Sequence, residues 1–326
     1  MRVVFMGTPH FAVPTLRALH ANAAPGRVWP HGLELVALIT RPDKPVGRGH
    51  ALVPSPAKAA AVDLGIPVYQ PGPLRRPEAL ALIQGLAPDL IVVTAFGQIL
   101  PAEVLHLPRH GCLNIHASLL PRHRGAAPIA GAILAGDAET GVSIMLMDVG
   151  LDTGPIIASR ATPVQPGETT GDLSARLADL GAALLMDVLP DWLAGRIVPR
   201  PQDDTQATVT RLLRKEDGRL DWTQPADDVA RQVRAYTPWP GAFTTWEGRQ
   251  LKVLRATSLA EPAGAPAPAP GVVYLDASAS GATRLACVCG QGALALEMIQ
   301  LEGKRALTAA EFVRGYGRIV GARLGL

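Results

Sequence analysis

The chain of 326 residues is 48% hydrophobic and 18% charged, which excludes an extended disordered polypeptide and supplies apolar material for more than one domain. Its net charge of +3 is too small to mark a polyanion binder, but residues 1–204 carry 16 Lys/Arg against 17 Asp/Glu and the remainder 15 against 11, so the positive excess is C-terminal. Three cysteines, Cys112, Cys287 and Cys289, cannot all pair within the chain and lack zinc spacing, which points to a reducing, cytoplasmic setting without structural metal.

The opening residues break at Gly7 and Pro9 and do not read as a secretory signal. The most apolar later stretch, 89–108, is interrupted by Gln98, Pro101 and Glu103, so no membrane span is expected. Val3 to Met6 reads as a buried strand, Gly7-Thr8-Pro9 as a turn, Phe11 to His20 as a helix and Leu35 to Thr40 as a second strand. Ser55 as N-cap, with Pro56 at the first helical position, opens an Ala-rich helix ending at Gly65. Ile66 to Tyr69 (strand), Pro77 to Gly85 (helix) and Leu90 to Thr94 (strand) continue the alternation of a parallel sheet. Cys112 to His116 and Ser143 to Met147 are the next strands, the second leading to Asp148 and Asp152. Ligands of open α/β sheets collect beyond the carboxyl ends of strands, so both ends are expected at one site.

Ile156 to Val164 reads as a further strand, Thr170 to Leu193 as a long helix or a broken pair, and 195–210, with Pro199, Pro201, Asp203 and Asp204, as a linker. Short strands then follow at Leu220 to Trp222, Phe243 to Trp246, Leu251 to Ala256, Val272 to Leu275, Thr283 to Val288 and Ala293 to Leu301, the pattern of a small β-barrel, with Pro262 to Pro270 as a surface loop. The expected architecture is α/β: an N-terminal Rossmann-like, mostly parallel sheet domain over 1–194 and a C-terminal OB-like small β-barrel domain over 211–326.

Asn114 and His116 stand two apart on a chain read as extended, so their side chains project to one side and one pocket can receive an amide and an imidazole. Such residues at a strand end also serve simply to satisfy loop backbone. The stretch Asn114-Ile115-His116-Ala117-Ser118-Leu119-Leu120-Pro121, continuing Arg122-His123-Arg124-Gly125-Ala126-Ala127-Pro128, is followed by a second that closes on Asp148-Val149-Gly150-Leu151-Asp152-Thr153-Gly154. Together they closely resemble the folate-dependent formyltransferase family, over about the first 190 residues. The resemblance implies Asn114, His116 and Asp152 as catalytic residues, 10-formyltetrahydrofolate as co-substrate and no metal.

An amine attacking a formyl carbon builds an oxyanion and a cationic nitrogen. Asn114 and a protonated His116 would donate to the oxyanion, each such donor worth about 3 kcal/mol. Asp152 would favour and orient the charged imidazole, and His116, Asp152 or water would carry the proton to the leaving folate nitrogen. No nucleophilic Ser or Cys is required, and Cys112 reads as core. By the same resemblance the folate site comprises Ser118, Leu119, Leu120 and Pro121; Phe96, Gly97, Gln98 and Ile99 in the loop 94–99; and Asp148, Val149 and Gly150.

More than a hundred residues beyond the first domain imply a further binding surface. Arg41-Pro42-Asp43-Lys44-Pro45-Val46-Gly47-Arg48-Gly49-His50 resembles the inserted loop of the family members that act on methionyl-tRNA, which makes Arg41, Lys44 and above all Arg48 the expected tRNA contacts. Asp221-Trp222 and Pro238-Trp239-Pro240 are similar to those members' second domain. Arg211 and Lys215, with Arg214, Arg249, Lys252, Lys304 and Arg305, are its expected phosphate contacts; Trp222 and Trp239 are expected to pack rather than stack on bases.

The acceptor so implied is methionine on initiator methionyl-tRNA, bound by a monomer. An amino-sugar nucleotide acceptor stays open, with the 41–50 loop weighing against it. A nicotinamide-dependent oxidoreductase is disfavoured because Gly7-Thr8-Pro9 is not G-x-G-x-x-G, and a non-catalytic tRNA-binding protein because all three central residues are present. His10 departs from the acidic residue the family commonly carries after Gly-Thr-Pro.

Overall fold

The computed structural model describes residues 1–23, 32–46, 51–259, 269–276 and 283–325; Arg48 and most of residues 262–270 lie outside the described residues. In chain order the elements are β1 (Arg2–Gly7), α1 (Val13–Asn22), β2 (Glu34–Ile39), β3 (Lys44–Val46), β4 (Ala51–Val53), α2 (Pro56–Asp63), β5 (Val68–Tyr69), α3 (Pro77–Gly85), β6 (Leu90–Thr94), α4 (Ala102–Leu105), β7 (Cys112–His116), β8 (Arg124–Gly125), α5 (Pro128–Ala135), β9 (Glu139–Leu146), β10 (Ile156–Pro163), α6 (Thr170–Leu193) and β11 (Val209–Thr210). Then come α7 (Ala226–Ala235), β12 (Ala242–Trp246), β13 (Arg249–Leu259), β14 (Val273–Asp276), β15 (Arg284–Val288), β16 (Ala293–Leu301), β17 (Leu307–Thr308) and α8 (Ala309–Gly315). They fall into two compact units: Met1–Pro128, Glu139–Pro163 and Ser174–Thr210 in the first, Ile129–Ala138, Val164–Leu173 and Arg211–Leu326 in the second.

In the first unit seven strands lie in the order β10-β9-β7-β6-β1-β2-β5. The five from β7 to β5 are parallel, and β9 and β10 run antiparallel at one edge. The central strands are apolar on both faces because both are covered. Val4, Met6, Ile91 and Val93 from the sheet pack with Ile83, Phe96 and Leu105 from the flanking segments, each fully buried side chain contributing roughly 1.5–3 kcal/mol. Ser55 caps α2 as its sequence predicts, its hydroxyl accepting from Lys58 N at 3.2 Å. α6 is one continuous helix that includes Pro190.

Two features depart from the sequence pattern. β9 begins at Glu139, not Ser143, and runs antiparallel to β7, with Leu146 opposite Leu113. The carboxyl ends of the two strands therefore do not coincide: β9 ends beside the start of β7, and the loop after it must fold back to reach His116. The segment 195–210 is an ordered part of the first unit rather than a bare connection. Arg200 bridges Ile156, and β11 pairs in parallel with β8.

The second unit is an antiparallel sheet with a hydrogen-bonded path β12-β13-β16-β15-β14, to which β17 adds beside β16. Val229 and Val233 of α7 and Phe312 of α8 pack on its buried side chains with Trp222 and Trp246. Leu220 to Trp222, expected as a strand, forms none; an isolated bridge pairs Arg219, just before it, with Phe243. The Asp221 carboxylate accepts from Thr223 N at 3.0 Å and Thr223 Oγ1 at 2.6 Å, a side-chain turn that ends extension. Trp222 is core, donating from Nε1 to Thr244 Oγ1 at 3.1 Å. Trp239 is instead 55% exposed: held between Pro238 and Pro240 ahead of β12, it cannot join the strand whose alternate residues point inward. Among the described residues no helix is long and apolar enough to cross a membrane.

Candidate active site

β7 is paired on both sides, Asn114 with Val93 of β6 and with Met145 of β9, and His116 with Ser143. That register aims the Asn114 and His116 side chains at one point. Asp152 arrives there from the folded-back loop: Asn114 Nδ2 donates to its Oδ1 at 3.4 Å, and its Oδ2 lies 3.7 Å from His116 Nδ1. Gly125 N donates to the same Oδ2 at 2.7 Å. The imidazole is 7% and the carboxylate 15% exposed, so water screens their interaction weakly.

His116 Nε2 lies 2.9 Å from His123 O. A carbonyl only accepts, so Nε2 carries a proton and donates. Nδ1 is then the nitrogen that faces Asp152. The arrangement sets an amide donor and an imidazole nitrogen against one carboxylate.

The loop reaches its position through close backbone contact. A Cβ on Gly154 would overlap Leu146 O, so only glycine lets the chain turn against the end of β9. Asp148 braces the loop, accepting from Gly150 N at 3.0 Å and Thr153 Oγ1 at 2.7 Å. Asp152 itself sits at φ +54°, in the left-handed region a non-glycine residue seldom occupies.

The residues expected to form the folate site are placed in distinct ways. Ser118 is fully buried and its hydroxyl donates to Arg122 O at 2.6 Å. Ser143 Oγ closes the same turn, donating to Ser118 O at 2.8 Å and accepting from Leu120 N at 3.1 Å. Leu120 is buried with Met145 and Ile156; Leu119 and Pro121 are half-buried. Phe96 is core, and Thr8 Oγ1 fixes its carbonyl at 3.2 Å. Gln98 Oε1 accepts from Leu74 N at 3.3 Å. Gly97 is exposed, Ile99 is 89% exposed, and Asp148, Val149 and Gly150 are exposed.

Of the residues expected to meet tRNA, Arg41 lies against Gly97, where a Cβ would stand 3.3 Å from its Nη1. Lys44 is exposed on β3, which pairs with β4 as a hairpin; Arg48 lies outside the described residues. The base of this hairpin is anchored by Asp43, which accepts from Lys58 Nζ at 2.6 Å and from Gln70 Nε2 at 2.8 Å. Those hydrogen bonds, Lys58 first, hold the Asp43 carboxyl below its ordinary value. In the second unit Arg211 pairs with Asp217 at 2.6 Å, which offsets part of its charge, and Lys215 is exposed. Cys112 is buried in the core and its thiol is pushed up to about 12 by burial, which suits packing rather than nucleophilic work.

The formyl transferase family model matches residues 1–189, and that of the formyl transferase C-terminal domain matches 212–317. Over 325 residues the chain is 46% identical to the methionyl-tRNA formyltransferase of Geobacter sulfurreducens, spanning 100% of this chain and 97% of that one. It belongs to the methionyl-tRNA formyltransferase family. The Myxococcus xanthus member is likewise 46% identical, over 97% of this chain and 95% of its own. Two solved structures share the fold at 18% identity. One is the N-formyltransferase from Helicobacter canadensis in complex with folinic acid and dTDP-3-aminofucose (TM-score 0.62; 90% of this chain, 98% of that one). The other is HypX from Aquifex aeolicus in complex with tetrahydrofolic acid (TM-score 0.62; 98% and 48%). Family membership replaces the nicotinamide-dependent alternative.

The sequence pattern does not single out the residues behind the site: His123, Gly125, Gln202 and Thr208. Thr208 Oγ1 accepts from His123 N at 2.8 Å, which holds the carbonyl that in turn holds His116. The available signal is Arg124, whose burial demands a polar partner. That partner lies 78 residues away, beyond any local periodicity.

Proposed function

We propose that this enzyme transfers the formyl group of 10-formyltetrahydrofolate to the amino group of methionine on initiator methionyl-tRNA, with Asn114, His116 and Asp152 at the reacting carbon. The attacking amine forms a C–N bond to the formyl carbon, and the carbonyl electrons move to oxygen. Asn114 Nδ2 donates to that oxyanion. His116 Nδ1 takes the proton of the attacking nitrogen; the imidazolium is stabilised by Asp152, donates to the oxyanion and then passes its proton to the folate nitrogen as the old C–N bond breaks. The exposed loops at 97–99 and 148–150 receive the folate, together with residues 118–121. Arg41, Lys44 and Arg48 engage the acceptor end of the tRNA, and basic residues of the second unit, Arg211 and Lys215 among them, contact its backbone. The enzyme acts as a cytoplasmic monomer.

The observation that carries this reading is the approach of one carboxylate, Asp152, to an amide at 3.4 Å and an imidazole at 3.7 Å that lie 38 and 36 residues before it in the chain. The test is incubation with formyl-folate and either charged initiator tRNA or amino-sugar nucleotides. Formylation of the tRNA is expected, and formylation of the sugars alone would overturn the acceptor. In the same assay Arg48→Ala should weaken tRNA use while leaving folate binding close to parental; equal loss of both would remove the loop from tRNA recognition.

A further inference from the structure

Gln202 lies behind Asp152 rather than among the reacting groups. Its Nε2 donates to Asp152 O at 2.8 Å and to Gly154 O at 2.7 Å, and its Oε1 accepts from Arg124 Nε at 3.1 Å and Nη2 at 2.8 Å. The orientation of this amide is forced, because the two carbonyls only accept and the guanidinium only donates. The Arg124 side chain is 8% exposed, and its Nη2 also pairs with Asp204 at 2.7 Å.

Arg124 stands between the two residues whose main chain meets the reacting groups: His123, whose carbonyl holds the imidazole, and Gly125, whose N–H holds the carboxylate. This tripeptide is itself templated by the segment that contains Gln202. Arg124 N donates to Thr208 O at 2.8 Å, Ala126 N to Thr210 O at 3.1 Å, and Thr210 Oγ1 to Arg124 O at 3.0 Å. The left-handed backbone at Asp152 is uphill for an aspartate and persists only where its surroundings over-determine it. The contacts that do so at its carbonyl and at that of Gly154 both come from Gln202.

We propose that Gln202, gripped by Arg124, is a positioning residue for formyl transfer: it sets the turn at Asp152 and thereby aims the carboxylate at Asn114 and His116. This rests on the reading of Asp152 as a catalytic residue. Gln202→Glu keeps the side-chain length and the Arg124 contact, but sets an oxygen against the two carbonyls. Gln202→Asn keeps the amide and is one methylene too short to span both partners.

The test is steady-state kinetics of both variants and of Asp152→Asn with formyl-folate and charged initiator tRNA, thermal melts of each, and single-turnover rates of the Asp152→Asn/Gln202→Glu double variant. A misaimed carboxylate lowers kcat by about 30-fold, since a displacement near 1 Å costs on the order of 100-fold. KM for both substrates should stay within about twofold, because no binding contact is removed. In the Asp152→Asn background, Gln202→Glu should have no further effect. Parental kcat in both Gln202 variants, a KM rise matching the kcat loss, or an added loss in the double variant would overturn the proposal. Parental turnover in Asp152→Asn would instead overturn the reading it rests on. If Gln202→Glu does not melt cooperatively, Gln202→Asn carries the same expectation and the same refutation.

Discussion

The two halves of the site are held by different means. Asn114 and His116 ride on β7, whose ladders to β6 and β9 set their direction together with the whole sheet, and the surrounding apolar side chains fix the register. Asp152 has no ladder: its place depends on Gly154 passing Leu146 O, on Asp148 bracing Thr153, and on Gly125 and Gln202 from distant segments. A strand-borne group therefore tolerates most changes that keep the sheet, whereas a loop-borne group is sensitive to each contact that aims it.

The largest expected effect falls on both halves alike. His116→Ala and Asp152→Asn should each lower kcat by about 1000-fold and leave the thermal melt near parental; turnover close to parental in either would break the assignment. Gly154→Ala separates the halves: overlap with Leu146 O should cost about 3 kcal/mol in denaturant unfolding and lower kcat, and a variant that is both stable and active would show the loop has another route. The counterpart on β7, Ile115→Val, trims a buried side chain and should cost about 1 kcal/mol with kcat within about twofold of parental, because the sheet still carries the register; a tenfold fall would mean the strand is no stiffer than the loop.

The smallest effect concerns another loop held by remote contacts, the hairpin base at Asp43. Its folded value lies below the ordinary 3.8, so its stabilising contribution is fully present above that value and fades as pH falls through the lower folded one. Asp43→Asn should thus melt slightly below the parent at neutral pH, and the two melting curves should converge on acidification. A gap that persists in acid would show that something other than the carboxylate charge anchors the hairpin.

Much of the frame was legible from local pattern. The strands Leu90–Thr94, Cys112–His116 and Ala293–Leu301 and the helix Pro77–Gly85 are bounded by apolar runs and by Pro and Gly punctuation, and Ser55 announces its own cap. The alternation along β7 likewise puts Asn114 and His116 on one side. Burial and side-chain direction repeat every two or 3.6 residues, so neighbours in the chain carry that information.

Pairing direction and distant partners do not repeat in this way. That β9 runs against β7 and sends its loop back across the site, that Gln202 backs Asp152, and that Trp239 stays outside the core were decided by which segments met once the sheet had formed. The physical reason is that a hydrogen bond between residues such as Arg124 and Gln202 depends on a three-dimensional approach across 78 positions, and chain-local periodicity holds no record of it.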